Sequence, residues 1–309
     1  MDHDMILFWL AAAIIAGTPI LFAALGEIMA ERSGVLNLGV EGMMLLGAAG
    51  SFVVASNTGN CWLGLLAGMA GGALLALIHA VICITLRGNQ VASGLALSIF
   101  GTGLSGLLGK NYQGMPLENH FTVFNIPLLQ DIPILGPVLF RHDALVYLSW
   151  LAVIICWYVL YRTGWGLHIR AVGENPAAAD SVGLRVSKIR YICTVLGGML
   201  AGMGGAYLSL AYTPSWHENM TAGRGWIAVA LVIFALWNPL LGLAGSYLFG
   251  GVDSLTFRMQ TMGIEVSPFL LSMLPYILTI AVLVLVSIKL KHLVNAPSAL
   301  GGAYDREER

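Results

Sequence analysis

Six polar side chains are the residues best able to contact a solute, five of them close to breaks in an otherwise apolar sequence and one within an apolar segment. They are Asn37, Glu41, Asn89, Gln90, Ser93 and Asp253. Amide, hydroxyl and carboxylate groups hydrogen-bond polyhydroxylated solutes in sites of low charge. The same groups also satisfy the backbone where a helix is interrupted inside a membrane. For the first five residues the sequence leaves both interpretations open.

Asp253 lies within a long apolar segment, where a carboxylate costs about 2.5–3.5 kcal/mol on insertion scales. One interpretation is a polar contact on a transport path. The other is a carboxylate near the outer end of a helix, neutralised by Arg258 or by a partner subunit. Both remain compatible with the sequence.

Other motifs point away from cofactor chemistry. The stretch Gly101-Thr-Gly-Leu-Ser-Gly106 matches the dinucleotide fingerprint, but it lies inside an apolar segment without a preceding strand, so we expect it to pack helices. Cysteines 61, 83, 156 and 193 are scattered without metal-ligand spacing. No cluster of His, Asp and Ser suggests a catalytic pocket. We therefore expect no enzyme activity, and no metal or cofactor bound by this chain.

The composition predicts an all-α, polytopic membrane protein, because 58% of the residues are hydrophobic and 10% are charged, against about a quarter charged in soluble domains. A span needs about 20 apolar residues, which leaves room for eight to ten segments with at least one short or broken helix. Nine are expected: 5–25, 43–56, 61–86, 91–109, 144–161, 189–212, 225–237, 240–257 and 267–288. The net charge of −1 gives no general attraction to nucleic acid. Seven tryptophans, including Trp226 and Trp237, fall mostly near segment ends, as in an interfacial belt.

Residues 26–42 are too charged and too rich in glycine for a simple continuous helix. Two structures fit them. One is a plain cytoplasmic loop. The other is a broken, partly re-entrant element that lines a path, which is tolerated only where protein or a watery cavity covers the freed backbone.

The longest polar interruption is residues 162–190, and it contains a short helix with signals at both ends. Asn175 suits the N-cap and Pro176 the first helical position. Three alanines follow, and Gly183 suits a left-handed C-terminal cap. A helix of about two turns is marginal alone in water, so we expect a separate protein to pack on it.

The distribution of Lys and Arg predicts the orientation. If residues 162–190 are cytoplasmic and the segments alternate, the inner side receives 11 of the 15 basic residues, and the tail 289–309 is also cytoplasmic. The outer side keeps Lys110, Arg141, Arg224 and Arg258.

Four strings in order resemble one family: ERSGVLNLGVEGMMLLGA from residue 31, GNQVASGLALSIFGTGLS from 88, GLHIRAVGENPAAADSVGL from 166 and GWIAVALVIFALWNP from 225. Together they resemble the permease subunits of ATP-binding-cassette importers, in the branch with ribose-type and branched-chain amino acid permeases. The first and last strings are most similar to permeases of nucleoside uptake systems, whose binding protein is a basic membrane protein lipoprotein.

The resemblance implies a vitamin-importer-like (type II) permease fold over residues 1–309 as one transmembrane domain in the inner membrane. It implies that the loop carries the coupling helix that docks on a separate ATPase subunit, which would bind ATP and Mg²⁺. The expected coupling residues are Glu174, Asn175, Pro176, Ala177, Ala178, Ala179, Asp180 and Gly183. The other expected partners are a second, non-identical permease, an extracytoplasmic solute-binding protein and membrane lipid.

A nucleoside or nucleobase is the expected solute, and a ribose-like sugar is the alternative. A different class, a secondary transporter driven alone by an ion gradient, is disfavoured because such carriers need carboxylates at the midplane. Here Asp253 lies in a segment, whereas Glu27 and Glu41 are expected at segment edges.

Overall fold

The computed structural model describes residues 3–125, 130, 132–133, 135–261, 268–289 and 296–305. Twelve α-helices lie within these ranges. They are α1 (His3–Arg32), α2 (Val40–Thr58), α3 (Cys61–Ala80), α4 (Gln90–Gly109), α5 (Leu135–Leu139), α6 (Ala144–Arg162), α7 (Gly164–Glu174), α8 (Pro176–Ser181), α9 (Val186–Tyr207), α10 (Arg224–Phe234), α11 (Pro239–Thr261) and α12 (Pro268–Lys289). Single π-helical turns extend α3 through Thr85 and α9 through Tyr212, and a 3-10 turn, Lys110–Tyr112, follows α4.

The predicted polytopic helical fold is confirmed. Each of the nine expected segments coincides with one of the helices α1, α2, α3, α4, α6, α9, α10, α11 and α12. Among the described residues, six helices are long and apolar enough to cross a membrane, and α10 is a shorter apolar helix. A small antiparallel ribbon, β1 (Val123–Asn125) paired with β2 (Arg141–Asp143), lies in the polar segment between α4 and α6.

Helix α1 is longer than the apolar run at its start. We expected it to end near Leu25, but it continues without a break to Arg32. The added turns are buried, and Glu27 and Glu31 are almost fully covered. Trp237 donates its indole N–H to Glu31, and Glu27 accepts from the backbone of Asn37 at 2.9 Å. These hydrogen bonds allow the helix to keep its carboxylates inside the protein, so Glu27 is not at an edge.

Small residues set the packing of α2, α3 and α9. Gly64, Gly68 and Gly72 are spaced four residues apart, so they lie on one face of α3, and all three are buried. Gly68 approaches Ala206 of α9, and the carbonyl group of Gly198 leaves no room for a Cβ on Gly72. Close backbone approach of this kind is the main source of helix association where lipid surrounds the bundle. Helices α2, α3 and α9 therefore form a closely packed group, against which the shorter helices lie.

Candidate functional site

The connection from α1 to α2 runs along α4 and lets α2 begin deep in the bundle. The Leu36 N–H donates to the Gln90 side chain at 2.7 Å, at the start of α4. Eight residues further along α4, the Ser98 hydroxyl donates to the Leu38 carbonyl at 2.8 Å. At 1.5 Å per residue this is a rise of about 12 Å. The structure places residues 26–32 in α1 and 33–39 in a break between α1 and α2. Ser33, Val35 and Asn37 in this break are buried, which fits the broken element better than a plain exposed loop, while a path-lining role stays a prediction.

Glu41 links the first turn of α2 to the N-terminus of α10 inside the bundle. It lies in the first turn of α2 and is 6% exposed. Its carboxylate accepts from the Thr221 hydroxyl, from the Gly223 N–H at 2.9 Å and from the Gly225 N–H at 2.7 Å. Gly223 is the N-cap of α10, so a carboxylate from α2 occupies the free N–H groups that begin α10. A negative group at a helix N-terminus is also favoured by the helix dipole. We call residues 39–42 and 219–226 the Glu41 junction.

Asp253 is paired beside this junction, although with a different cation from the expected one. The Arg224 guanidinium lies 2.8 Å from the Asp253 carboxylate. Arg224 also lies over the ring of Tyr212, 5.5 Å from its centroid. Arg258, which we had named as a neutralising partner, instead contacts the Met5 carbonyl and the Phe8 ring. The pair ties α10 to α11 and removes the cost of an isolated charge.

The remaining path candidates lie between the junction and the end of the bundle that carries α7 and α8. Asn37 accepts from the Gly39 N–H at 2.9 Å, and Asn89 caps α4 by accepting from Ala92 at 2.9 Å. The Ser93 hydroxyl lies 3.0 Å from a ring nitrogen of buried His79. These contacts serve the backbone and the core at the helix breaks. A direct contact with solute stays a prediction for all six residues.

The short helix in the polar loop has the predicted ends. The Asn175 side chain accepts from the Ala178 N–H at 2.9 Å, Pro176 occupies the first turn, and Gly183 has a φ of +89° in the left-handed region. Three alanines differ in their surroundings, however. Those at 177 and 178 are exposed, whereas Ala179 is 3% exposed and packs in the core. The surface of α8 that a partner protein can contact is therefore smaller than expected.

Comparison with known proteins decides the family. The model of the family described as "Branched-chain amino acid transport system / permease component" matches residues 9–285. The chain belongs to this permease family.

Relatives of this permease include transporters named for different solutes. A protein of Haloferax volcanii named "Putative glucose ABC transporter permease protein" is 44% identical over 96% of this chain and 97% of its own. A nucleoside ABC transporter permease of Lactococcus lactis is 37% identical over 89% and 90%. A guanosine ABC transporter permease of Bacillus subtilis is 36% identical over 88% and 89%. A chain from an inward-facing ABC transporter structure matches 91% of the permease and 85% of itself, with 14% identity and a TM-score of 0.49.

The C-terminal segment of the permease, residues 296–305, packs across the end of the bundle that carries α7 and α8. The Ser298 hydroxyl donates to Glu174 at 2.9 Å, and the Tyr304 hydroxyl donates to Asp180 at 3.0 Å. Arg190, buried at the start of α9, donates to the Gly302 carbonyl at 3.1 Å. We had treated 289–309 as a polar tail. Its described part instead connects Glu174 of α7 and Asp180 of α8 to Arg190 of α9.

Sequence reasoning missed three contributors to the site. Trp226 was assigned to an interfacial belt, yet it lies in the first turn of α10 at the Glu41 junction. Trp237 was assigned likewise and is buried against Glu31. Helix α7 was not predicted, although a threonine that caps its N-terminus, Thr163, was visible. A short apolar segment such as 225–237 was the available signal that a helix begins inside the membrane.

Proposed function

We propose that this chain is the membrane subunit of an ATP-binding-cassette importer that moves a nucleoside or a related nucleobase. Family membership supports a permease role, and the two relatives named for nucleosides and guanosine support the solute class. The observation that supports the coupling role is the short helix α8. Its N-terminus is capped by Asn175, while Ala177 and Ala178 on its surface are exposed to solvent.

The open part of the coupling segment suits a protein partner. Val182 is 76% exposed and lies next to Gly183, with Ala177 and Ala178 exposed one turn earlier. Apolar residues exposed together at a loop are typical of a protein contact. The partner in this proposal is an ATPase subunit that binds ATP and Mg²⁺, so this face lies in the cytoplasm and so does the C-terminal segment. The bundle then sits in the inner membrane.

The other partners follow from the same proposal. A second permease would cover apolar residues that are exposed on α4 and α12, such as Ile99 and Ile280, and an extracytoplasmic binding protein would deliver the solute. The path between two permeases would pass the Glu41 junction, where two helices begin at mid-depth as they do around the substrates of other transporters.

A sugar is the second candidate solute, favoured by the 44% identity to the relative named for glucose. The two candidate solutes can be distinguished by a transport assay, in which this chain is reconstituted in proteoliposomes with its ATPase, second permease and binding protein. We expect ATP-dependent uptake of labelled guanosine or uridine that unlabelled glucose does not inhibit. Uptake of glucose alone would contradict the nucleoside assignment. Uptake by this chain alone under a proton or sodium gradient would contradict the importer assignment itself.

A further inference from the structure

A polar pocket opens beside the Glu41 junction. It has a volume of about 530 Å³, and its lining includes Glu41, Ser98, Thr102, Asn219, Trp226 and Tyr276. Four elements contribute to it, α2, α4, α10 and α12, together with the turn before α10. Such a volume lies within the range of small-molecule sites. Neither the family assignment nor the relatives' names point to this pocket.

The depth of the pocket places it where a transported solute must pass. Ser98 and Thr102 lie near the middle of the 20-residue helix α4, and Tyr276 lies near the middle of the 22-residue helix α12. A helix of 20 residues is about 30 Å long, which is the thickness of the apolar layer. The pocket is therefore close to the midplane, the usual depth of transporter binding sites formed where helices are discontinuous.

The chemistry of the lining selects an uncharged solute. Glu41 supplies carboxylate oxygens, while Asn219 and Thr102 supply amide and hydroxyl groups. No Lys or Arg is among these lining residues. A phosphorylated solute would meet the Glu41 carboxylate, while the nearby Arg224 guanidinium is already paired with Asp253, so an added negative charge is unfavourable in a site of low dielectric. Hydroxyl and N–H groups of an uncharged solute would instead find hydrogen-bond acceptors among these lining residues.

Two aromatic side chains add selectivity for a planar ring. Trp226 is 37% exposed and Tyr276 is 44% exposed, and both line the pocket. Tyr276 is held in place because its hydroxyl donates to the Ala222 carbonyl at 3.3 Å. Aromatic faces of this kind stack on nucleobases with little dependence on base identity.

We propose that this pocket is a contact site for the solute in passage, in which a nucleobase packs on Trp226 and Tyr276 while hydroxyl or N–H groups of the solute hydrogen-bond to Glu41 and Asn219. The proposal rests on the proposed import function and names the residues that would make it selective for nucleosides.

The first test replaces the aromatic side chains and leaves the Glu41 hydrogen bonds in place. Initial rates of labelled guanosine uptake are compared for Trp226→Ala, Trp226→Phe and Tyr276→Ala in the reconstituted importer. We expect the two alanine variants to lower the rate about tenfold or more, because each removes a stacking surface, and Trp226→Phe to retain most of it. Tyr158→Ala is the matched control, since Tyr158 is an exposed aromatic on α6, away from the pocket.

The second test measures occupancy directly. Thr102 is exposed within the pocket, and Thr102→Cys is introduced with Cys61→Ser, since Cys61 is the native cysteine that is not buried. We expect guanosine delivered by the binding protein to slow labelling by a water-soluble thiol reagent, and glucose to leave it unchanged.

The outcomes separate this inference from the function on which it rests. If guanosine is taken up, yet both alanine variants transport normally or the labelling rate is unaffected, this pocket is not a solute site and the import function stands. If the importer takes up glucose and no nucleoside, the proposed solute is wrong and the inference falls with it. Loss of uptake in Tyr158→Ala equal to that in Trp226→Ala would overturn the stacking role.

Discussion

The carboxylate of Glu41 accepts a hydrogen bond of 2.7 Å from the backbone N–H of Gly225, a residue 184 positions later in the chain. This contact joins the beginning of α2 to the beginning of α10 inside the bundle. Without it the first N–H groups of α10 would be buried and unpaired. The contact therefore holds the first turn of α2 against the first turn of α10.

Glu41→Ala should destabilise the protein more than a typical surface change. It leaves the N–H groups of Gly223 and Gly225 without an acceptor, at about 1–3 kcal/mol each. Glu41→Gln keeps one oxygen acceptor and should cost less. The measurement is the midpoint of thermal unfolding of the purified protein in detergent. Equal midpoints for Glu41→Ala and wild type would show that the junction does not depend on this side chain.

Local signals predicted the short helix correctly. Asn175, Pro176 and Gly183 lie within nine residues, and each acts on the backbone of the short helix itself, so no tertiary information was needed. The apolar segments were predictable for a similar reason, since length and composition decide whether a helix can lie in lipid.

Tertiary contacts account for what the sequence did not predict. The charged end of α1 was not predicted to continue the first helix, because burial of Glu31 depends on Trp237, more than 200 residues away. Composition alone could not predict which of three neighbouring alanines faces the core, because that depends on how α8 is held against α9. The pairing of Asp253 with Arg224 instead of Arg258 depends likewise on where α10 begins.

The two neighbouring alanines of α8 give a matched test of docking. Ala178→Trp adds bulk on an exposed position and should weaken co-purification of the ATPase, while the free energy of unfolding changes by no more than about 0.5 kcal/mol. Ala179→Trp adds the same bulk to a buried position and should cost about 1–3 kcal/mol through overpacking. Normal ATPase binding by Ala178→Trp would mean that this surface is only a connecting loop.

Sidedness can be measured with single cysteines. The Ser298 hydroxyl donates to Glu174, next to α8. Asn119 donates to the Gly59 carbonyl, just before the first residue of α3 and at the other end of the bundle. Cysteines at Ala178 and Ser298 should react with an impermeant reagent only from the cytoplasm, and one at Asn119 only from outside. Reaction of Ala178 and Asn119 from the same side would overturn the orientation.

His142, which lies in strand β2 between α4 and α6, should make the free energy of unfolding depend on pH. Burial lowers the pKa of His142, and its hydrogen bond to the Val138 carbonyl and the charge of Asp143 oppose this only in part. An unfolded histidine titrates near 6.5, so as the pH falls below about 6.5 the unfolded state takes up a proton that the folded state resists. The contribution of His142 to stability should therefore be lost progressively as the pH falls below about 6.5.

His142→Gln isolates this effect, because glutamine does not titrate. Burial raises the pKa of Asp143, which has the opposite sign and favours the folded state at low pH. As the pH falls below about 6.5, the unfolding midpoint of wild type should fall relative to that of His142→Gln. Parallel pH profiles would assign the dependence to other groups.

The C-terminal segment should matter for coupling because it links α8 to the rest of the bundle. Truncation after residue 295 removes the contacts of Tyr304 with Asp180, of Ser298 with Glu174 and of Gly302 with Arg190. We expect solute-stimulated ATP hydrolysis by the assembled importer to fall several-fold, since α8 then moves independently of α9. Asp305→Asn is the control, because it removes the ion pair with half-exposed Arg87 and leaves the contacts of Ser298, Gly302 and Tyr304 in place. If the truncated protein keeps full stimulation, the segment stabilises this end of the bundle and has no part in transmitting the ATPase signal.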